Sequence, residues 1–115
     1  MKEDELFDPM IAYLKKEGYS IPEQHRGHER GTDIVATKDD YKLLLELKGD
    51  TQSKDDFGTG ILQIMKKMNG LSSDKYALGV TENYRKLAAR CKFSLQKLKI
   101  NVYIVNENGS VELLF

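Results

Sequence analysis

The sequence lacks several features that would mark a secreted, thiolate-metal or membrane protein. Cys91 is the only cysteine, so an internal disulfide and a thiolate metal cluster are both excluded. No apolar run approaches the roughly twenty residues that a membrane-spanning helix needs. The charged start, Met-Lys-Glu-Asp-Glu, has no apolar signal-peptide core behind it. We therefore expect a cytoplasmic protein that does not enter a membrane.

The chain also lacks an excess of charge of either sign. Its 18 Lys and Arg residues balance its 18 Asp and Glu residues. A surface that binds nucleic acid would therefore need local segregation of positive charge. With 115 residues and the apolar content of a soluble globular protein, the chain is predicted to be a single domain over 1–115.

The most informative stretch is 31–48, where two strand-like runs flank a polar break at 38–41. β-branched and leucine-rich runs of this length predict an antiparallel hairpin over a type I turn. Pairing outward from the turn brings Asp33 opposite Glu46. Directly opposed residues have Cβ atoms roughly 5 Å apart, so we expect the two carboxylates to share one small volume.

Two carboxylates at that distance repel each other and need a compensating positive charge. Lys48 lies two residues beyond Glu46 and therefore on the same face of the strand. Its ammonium group and a bound cation are both candidates for that charge. The neighbours on this face, Val35 and Leu44, are apolar, which predicts that the charges lie at the edge of a buried surface. The alternative is that Glu46 and Lys48 are ordinary charged residues that alternate along a solvent-exposed face of the sheet.

The cluster has the ligand types that a hard divalent cation prefers. Mg²⁺ binds oxygen ligands in an octahedron and commonly uses only one or two carboxylates, with water in other positions. Asp33, Glu46 and the main-chain carbonyl of Leu47 could provide half of that shell, and water and a substrate phosphate the rest. Such a metal would activate its bound water and neutralise charge on the phosphate, with Lys48 beside the nucleophile.

These residues resemble the motif of the PD-(D/E)xK nuclease superfamily, whose restriction-endonuclease-like fold includes Holliday-junction resolvases and restriction-type endonucleases. The matching segments are Gly31-Thr32-Asp33-Ile34-Val35-Ala36 and Glu46-Leu47-Lys48, with twelve residues between Asp33 and Glu46. Thr32 stands where the motif name has proline. The resemblance implies that Asp33 and Glu46 bind Mg²⁺ or Mn²⁺, and that Lys48 activates water for phosphodiester hydrolysis.

The order of elements agrees with that resemblance. Hydrophobic periodicity and turn residues predict helices over 3–17, 59–69 and 82–98, and strands over 19–23, 31–37, 42–48, 76–80, 100–105 and 111–115. Pro22 marks the first strand as an edge or a bend. This order predicts an α/β fold with the restriction-endonuclease-like αβββαβ core, a mixed β-sheet flanked by helices, and a C-terminal β-hairpin.

The resemblance suggests two more catalytic candidates. Family members often carry a glutamate on the first helix that leans toward the metal, and Glu3 lies in the middle of that helix's apolar face. An ordinary first-turn acid favoured by the helix dipole is the alternative. Some branches place a glutamine near the scissile phosphate, and Gln63 matches by position. However, Gln63 lies opposite the apolar stripe of its predicted helix, alongside Lys67, where a surface residue would be.

Three groups of basic residues are candidates for contacts with nucleic acid. They are the loop residues His25, Arg26, His28 and Arg30, the pair Lys66 and Lys67, and the helix residues Lys86, Arg90 and Lys97. Residues 83–106 include six Lys or Arg and no Asp or Glu, which fits either phosphate attraction or a soluble helix face. Phe93 lies among them, away from the core stripe, and suggests base stacking or a subunit contact. Two histidines without a third ligand are too few for zinc.

These patterns predict a metal-dependent nuclease, an endonuclease acting on DNA rather than RNA. A chain this small offers little area to a duplex, whereas specific interfaces with DNA bury at least about 1,000 Å² of protein. We therefore expect a homodimer, formed through the apolar last strand or the exposed face of the 82–98 helix. Two alternatives are a catalytically inactive module of the same fold for nucleic-acid binding or assembly, and an unrelated α/β interaction domain.

Overall fold

A computed structural model describes residues 1–27, 29–50, 55–70 and 73–115. Its strands form one six-stranded sheet in which each strand lies beside its neighbours in the sequence. The strands are β1 (Ser20–Gln24), β2 (Ile34–Lys38), β3 (Tyr41–Lys48), β4 (Lys75–Thr81), β5 (Ile100–Val105) and β6 (Val111–Leu113). The helices are α1 (Phe7–Lys16), α2 (Asp55–Met65), α3 (Arg85–Arg90) and α4 (Lys92–Lys97), and 3-10 turns at Glu3–Leu6 and Glu82–Tyr84 precede α1 and α3. The predicted α/β fold with a mixed sheet, flanking helices and a C-terminal hairpin is confirmed.

The sheet combines antiparallel and parallel pairs. Strands β1, β2 and β3 form an antiparallel meander, β3, β4 and β5 run parallel, and β6 returns antiparallel to β5. Strand β1, which carries Pro22, lies at one edge and has a bulge, as a proline-bearing strand should. In the described part of the chain no helix is long and apolar enough to cross a membrane.

The β2–β3 hairpin has the predicted register but a tighter turn. Thr37 faces Lys42, and Lys38 still pairs with Tyr41, so the turn has only two residues. Asp39 has a φ of 55°. The predicted type I turn is therefore wrong, because its first central residue would have a φ near −60°. Two-residue hairpins favour turns of the opposite hand, since these match the twist of the strands.

Helices cover both faces of the sheet. Helix α1 packs on one face with Leu43, Leu45 and Leu47 of β3. Helices α2, α3 and α4 pack on the other face, which also receives Leu44. Because side chains alternate along a strand, Glu46 and Lys48 lie on the face that α2 covers.

Helix α2 starts earlier than the predicted 59–69, and its buried face is shifted from the stripe of Ile61, Ile64, Met65 and Met68 that hydrophobic periodicity predicts. Ile64 is buried and Ile61 and Met68 pack against the core, but Met65 is 44% exposed, and the buried face also includes Phe57 and Gly60. A Cβ added at Gly60 would lie 3.0 Å from a methyl of Leu78 and would also crowd Lys48. The missing side chain therefore lets α2 approach the sheet closely, which a pattern of apolar residues could not reveal.

The predicted long helix at 82–98 is interrupted. Cys91 has φ −93° and ψ 4°, which separates α3 from α4, although its N–H still donates to the carbonyls of Leu87 and Ala88. Thr81 precedes this helix, but its hydroxyl donates to Oδ1 of Asp50 at 2.5 Å, and no side chain of the described residues caps this end.

Candidate functional site

The open end of the β2–β3 hairpin brings together the two carboxyl groups of the motif. Asp33 directly precedes β2, and its Oδ2 accepts a hydrogen bond of 2.8 Å from the N–H of Leu47. Glu46, which lies opposite Asp33 across the hairpin, is close enough to raise the pKa of its carboxyl. Glu46 is only 3% exposed, because β3 is covered on both faces. The structure therefore places two acids in one small and largely water-excluded volume.

Burial, together with the neighbouring Glu46, raises the pKa of Asp33 to about 7, although the Leu47 N–H and Lys48 act in the opposite direction. In the absence of a metal, the Asp33 carboxyl is therefore about half protonated near neutral pH. A divalent cation bound beside these carboxyl groups would favour the ionised form of Asp33.

Lys48 and Glu3 lie at the outer side of this pair. The Nζ of Lys48 is 3.7 Å from Oε1 of Glu3, and the Lys48 side chain is 15% exposed. Burial raises the pKa of Glu3, and Lys48 opposes that shift. The predicted 3–17 helix begins here as a 3-10 turn, so Glu3 starts a turn that lies against the end of β3.

Gly49 explains how Glu3 reaches this position. A Cβ added at Gly49 would lie 2.3 Å from the main-chain nitrogen of Glu3, so only glycine permits the approach. The N–H of Asp50 donates to the carbonyl of Met1 at 2.8 Å, which joins the first residues to the end of β3. Gly49, which follows Glu46-Leu47-Lys48, thus allows the main chain of Glu3 to lie against the end of β3.

Lys67, predicted as a contact for nucleic acid, forms an ion pair with Glu46. Its Nζ lies 3.1 Å from Oε1 of Glu46, and the two side chains are 26% and 4% exposed. The apolar stripe of this helix does not predict the contact, because the buried face of α2 extends to the side that Gly60 occupies. Gly60 is the feature of the sequence that could have indicated this contact. Lys67 follows Gly60 by seven residues, about two helical turns, and therefore lies on the same side.

Gln63 is not the surface residue that its position on the helix predicted. It is half-buried, and its Oε1 is buried without a hydrogen-bond partner among the described residues. A buried polar atom left unpaired typically costs about 1 to 3 kcal/mol. Gln63 lies on α2, four residues before Lys67 in the turn that ends this helix. Its amide oxygen is thus available to a metal ion, a water molecule or a substrate donor.

The available donors fit Mg²⁺ or Mn²⁺ better than zinc. Within the described ranges, no three His, Cys, Asp or Glu side chains gather closely enough to hold a metal by themselves. The donors present are the carboxylates of Asp33 and Glu46, with the amide oxygen of Gln63 and the predicted carbonyl ligand of Leu47. An all-oxygen set with few carboxylates suits a cation that keeps much of its water.

The basic loop before Asp33 is engaged with the protein itself. Arg26 donates to Oδ1 of Asp8 and to Oε1 of Gln24, both at 2.8 Å, and its guanidinium lies 4.9 Å from the centre of the Phe7 ring. Arg30 is exposed. Of the four loop residues predicted to contact nucleic acid, His28 lies outside the described residues.

His25 has a structural contact in the same loop. Its main-chain N–H donates to the carbonyl of Asp33 at 2.9 Å, and its ring packs where a Cβ of Gly31 would be. The imidazole nitrogens are 3.6 Å from Glu23 and 3.9 Å from Glu29. His25 therefore helps to shape the loop that leads into Asp33.

The basic residues predicted on the helices are exposed, with the exception of Lys67. These exposed residues are Lys66, Lys86, Arg90 and Lys97. Phe93 is 76% exposed, and the Nζ of Lys97 lies 5.4 Å from the centre of its ring. By contrast, Arg85 pairs with Glu82 and Glu112. Helices α3 and α4 thus present a basic and aromatic surface to solvent.

No protein-family model matches the chain, and no curated protein does. Solved structures do match. One is the crystal structure of an fdxN element excision controlling factor protein from Anabaena variabilis, with a TM-score of 0.66 and 17% identity over 96% of this chain and 99% of that one. Another is an XisH family protein from Nostoc punctiforme, with a TM-score of 0.63 and 16% identity over 94% of this chain and 98% of that one. The likeness is one of fold. It extends over nearly the whole chain and agrees with the α/β architecture predicted from the order of elements.

Proposed function

We propose that the protein is a metal-dependent nuclease of the PD-(D/E)xK type, an endonuclease that hydrolyses phosphodiester bonds in DNA rather than RNA. The observation that carries the proposal is the buried pair of Asp33 and Glu46, with Lys48 beside it at the open end of the hairpin. A structural ion pair would need one acid and one base. Here a second, half-buried acid, Asp33, lies beside the ion pair of Glu46 and Lys67, which is an arrangement suited to binding a cation.

In this proposal Asp33 and Glu46 hold Mg²⁺ or Mn²⁺, together with the carbonyl of Leu47. A bound metal of this kind supplies an activated water and neutralises charge on a phosphate. The ammonium group of Lys48 orients the attacking water, and Glu3, 3.7 Å away, holds Lys48 in place. The unpaired amide oxygen of Gln63 accepts a hydrogen bond from water or substrate.

Two observations support DNA as the substrate. The surface of α3 and α4 is basic and carries an exposed aromatic ring, which suits a phosphate backbone and unstacked bases. The Anabaena protein with this fold is described as an fdxN element excision controlling factor. We propose that the chain acts in the cytoplasm as a homodimer.

The proposal is tested with purified protein, Mg²⁺ or Mn²⁺, and supercoiled, branched and single-stranded DNA. We expect cleavage of at least one substrate. Lys48→Met should reduce its rate by about 100-fold or more, because it removes the charge that acts on water and phosphate. The methionine keeps the aliphatic stem beside Gly60, so circular dichroism should show an intact fold.

Lys42→Met provides a matched control, because Lys42 lies on the same face of β3 as Lys48 but roughly 20 Å away. Its cleavage rate should equal that of the unmodified chain. No cleavage of any substrate, together with no metal binding by calorimetry, would contradict the proposal. That result would favour the catalytically inactive module, which one observation also favours: Lys67 already neutralises Glu46 without a metal.

A further inference from the structure

We propose that Lys67 is an exchangeable counter-ion. Its ammonium group neutralises Glu46 in the metal-free protein, leaves when a divalent cation binds, and then contacts the phosphate of the substrate. This inference rests on the proposed nuclease function, and it assigns to Lys67 a part in both metal binding and substrate binding.

The first argument is that Glu46 needs a counter-ion whether or not a metal is bound. Its side chain is only 4% exposed, and an uncompensated charge at such a site costs several kcal/mol. Lys48 is 3.7 Å from Glu3 and so is shared with another acid. Lys67, at 3.1 Å, is the closest ammonium group to Glu46 among the ion pairs of the described residues.

The second argument is that Lys67 and a metal cannot occupy this position together. An ammonium group and a divalent cation about 4 Å apart repel each other strongly in a buried site, because the effective dielectric constant there is far below that of water. The carboxylate of Glu46 can therefore bind either the ammonium group of Lys67 or the metal ion, but not both at once. Binding of the metal should displace Lys67.

The third argument is that Lys67 can leave without moving the main chain. Its N–H donates to the carbonyl of Ile64 at 2.9 Å, so its backbone is held by the turn that ends α2. Its side chain is 26% exposed, in contrast to Glu46. A lysine stem has four flexible carbons. Rotation of this side chain is therefore enough to carry the charge from Glu46 toward solvent.

The fourth argument concerns where the displaced charge goes. With the metal bound and Asp33 ionised, the acids Asp33, Glu46 and Glu3 carry three negative charges. Lys48, Lys67 and the metal carry four positive charges. The cluster then has one positive charge in excess, which a single phosphodiester group neutralises. Lys67 thus changes from a partner of the protein to a partner of the substrate.

Chemical labelling of the unmodified protein tests the displacement directly. An amine-reactive reagent is added with EDTA or with saturating Mn²⁺, and the labelling rate of each lysine is read by peptide mass spectrometry. We expect the rate at Lys67 to rise several-fold with Mn²⁺, because its ion pair has broken. Lys66, which is exposed and adjacent, is the internal reference and should not change. An unchanged rate at Lys67 would overturn the inference.

Calorimetry with Mn²⁺ provides a second test through Lys67→Met. Without a competing ammonium group the metal should bind about tenfold more tightly, equivalent to about 1.4 kcal/mol. Lys66→Met should leave the dissociation constant unchanged. An equal or weaker affinity in Lys67→Met would overturn the exchange and leave the proposed function standing. No metal binding by the unmodified chain would overturn both.

Discussion

The half-buried carboxyl of Asp33 links the stability of the metal-free protein to pH. Burial raises its pKa from 3.8 to about 7 on folding. Between these two values the folded state binds more protons than the unfolded state, so stability falls as the pH rises. The loss begins near pH 4 and is complete above about pH 7. A bound metal favours the ionised form of Asp33, so this loss of stability with rising pH should disappear when a metal is bound.

Asp33→Asn should therefore stabilise the metal-free protein in a pH-dependent manner. The amide oxygen can still accept from the N–H of Leu47, and no charge is buried. Urea unfolding in EDTA should show no gain near pH 4 and a gain of about 1 to 2 kcal/mol at pH 8, after allowance for solvent screening. Asp40→Asn, in the exposed turn of the same hairpin, should show no such trend. An equal gain at every pH would contradict the explanation.

At the scale of elements, the hairpin was predictable and the packing of α2 was not. The register of β2 and β3 follows from local alternation and turn length, so the meeting of Asp33 and Glu46 could be derived from sequence alone. The buried face of α2 depends on Gly60, which contributes no apolar side chain. The ion pair of Lys67 with Glu46 and the burial of Gln63 both depend on that face. Hydrophobic periodicity alone therefore does not predict either of them.

Two glycines of α2 provide a matched test of this packing. A Cβ at Gly60 would crowd Leu78 and Lys48, whereas one at Gly58 would meet nothing within 4 Å. Gly60→Val should destabilise the protein by about 1 to 3 kcal/mol because it forces α2 away from β3. Gly58→Val should be neutral or slightly stabilising. Equal effects in thermal unfolding would show that α2 does not depend on close approach at Gly60.

The basic surface of α3 and α4 gives a second prediction at this scale. Lys86→Met combined with Arg90→Met should weaken binding to duplex DNA with little regard to sequence. The slope of log affinity against log salt should fall by about 1.8 if both side chains contact phosphates. Lys15→Met with Lys16→Met, at the exposed end of α1, is the control of equal charge. The same loss in both double variants would indicate a general charge effect.

At the scale of the whole molecule, we predict a homodimer in solution. An exposed apolar residue lies in each of the two regions predicted to form its contact: Leu113 on the edge strand β6, 52% exposed, and Phe93 on α4, 76% exposed. Sedimentation should give twice the mass of one chain. Either Leu113→Lys or Phe93→Lys should dissociate the dimer, and the one that does so identifies the interface. A monomer at all concentrations would contradict the prediction.

The overall architecture was predictable because it is simple. Every strand pairs with the next one in the sequence, so the order of elements nearly determines the order of strands. Helix boundaries were less predictable. Cys91 takes up a non-helical conformation within an uninterrupted apolar pattern, and Thr81 bonds to Asp50, which lies on a different element. Tertiary contacts of this kind leave no periodic signal.

The sequential arrangement of the sheet also sets the timing of events when the chain is made. The hairpin that carries Asp33 and Glu46 leaves the ribosome before α2 does, since Lys67 follows Glu46 by 21 residues. A newly made hairpin therefore emerges with its acids before Lys67 has emerged to pair with Glu46. Until α2 packs, the counter-charges for these acids come from Lys48 on the same strand and from cations in solution.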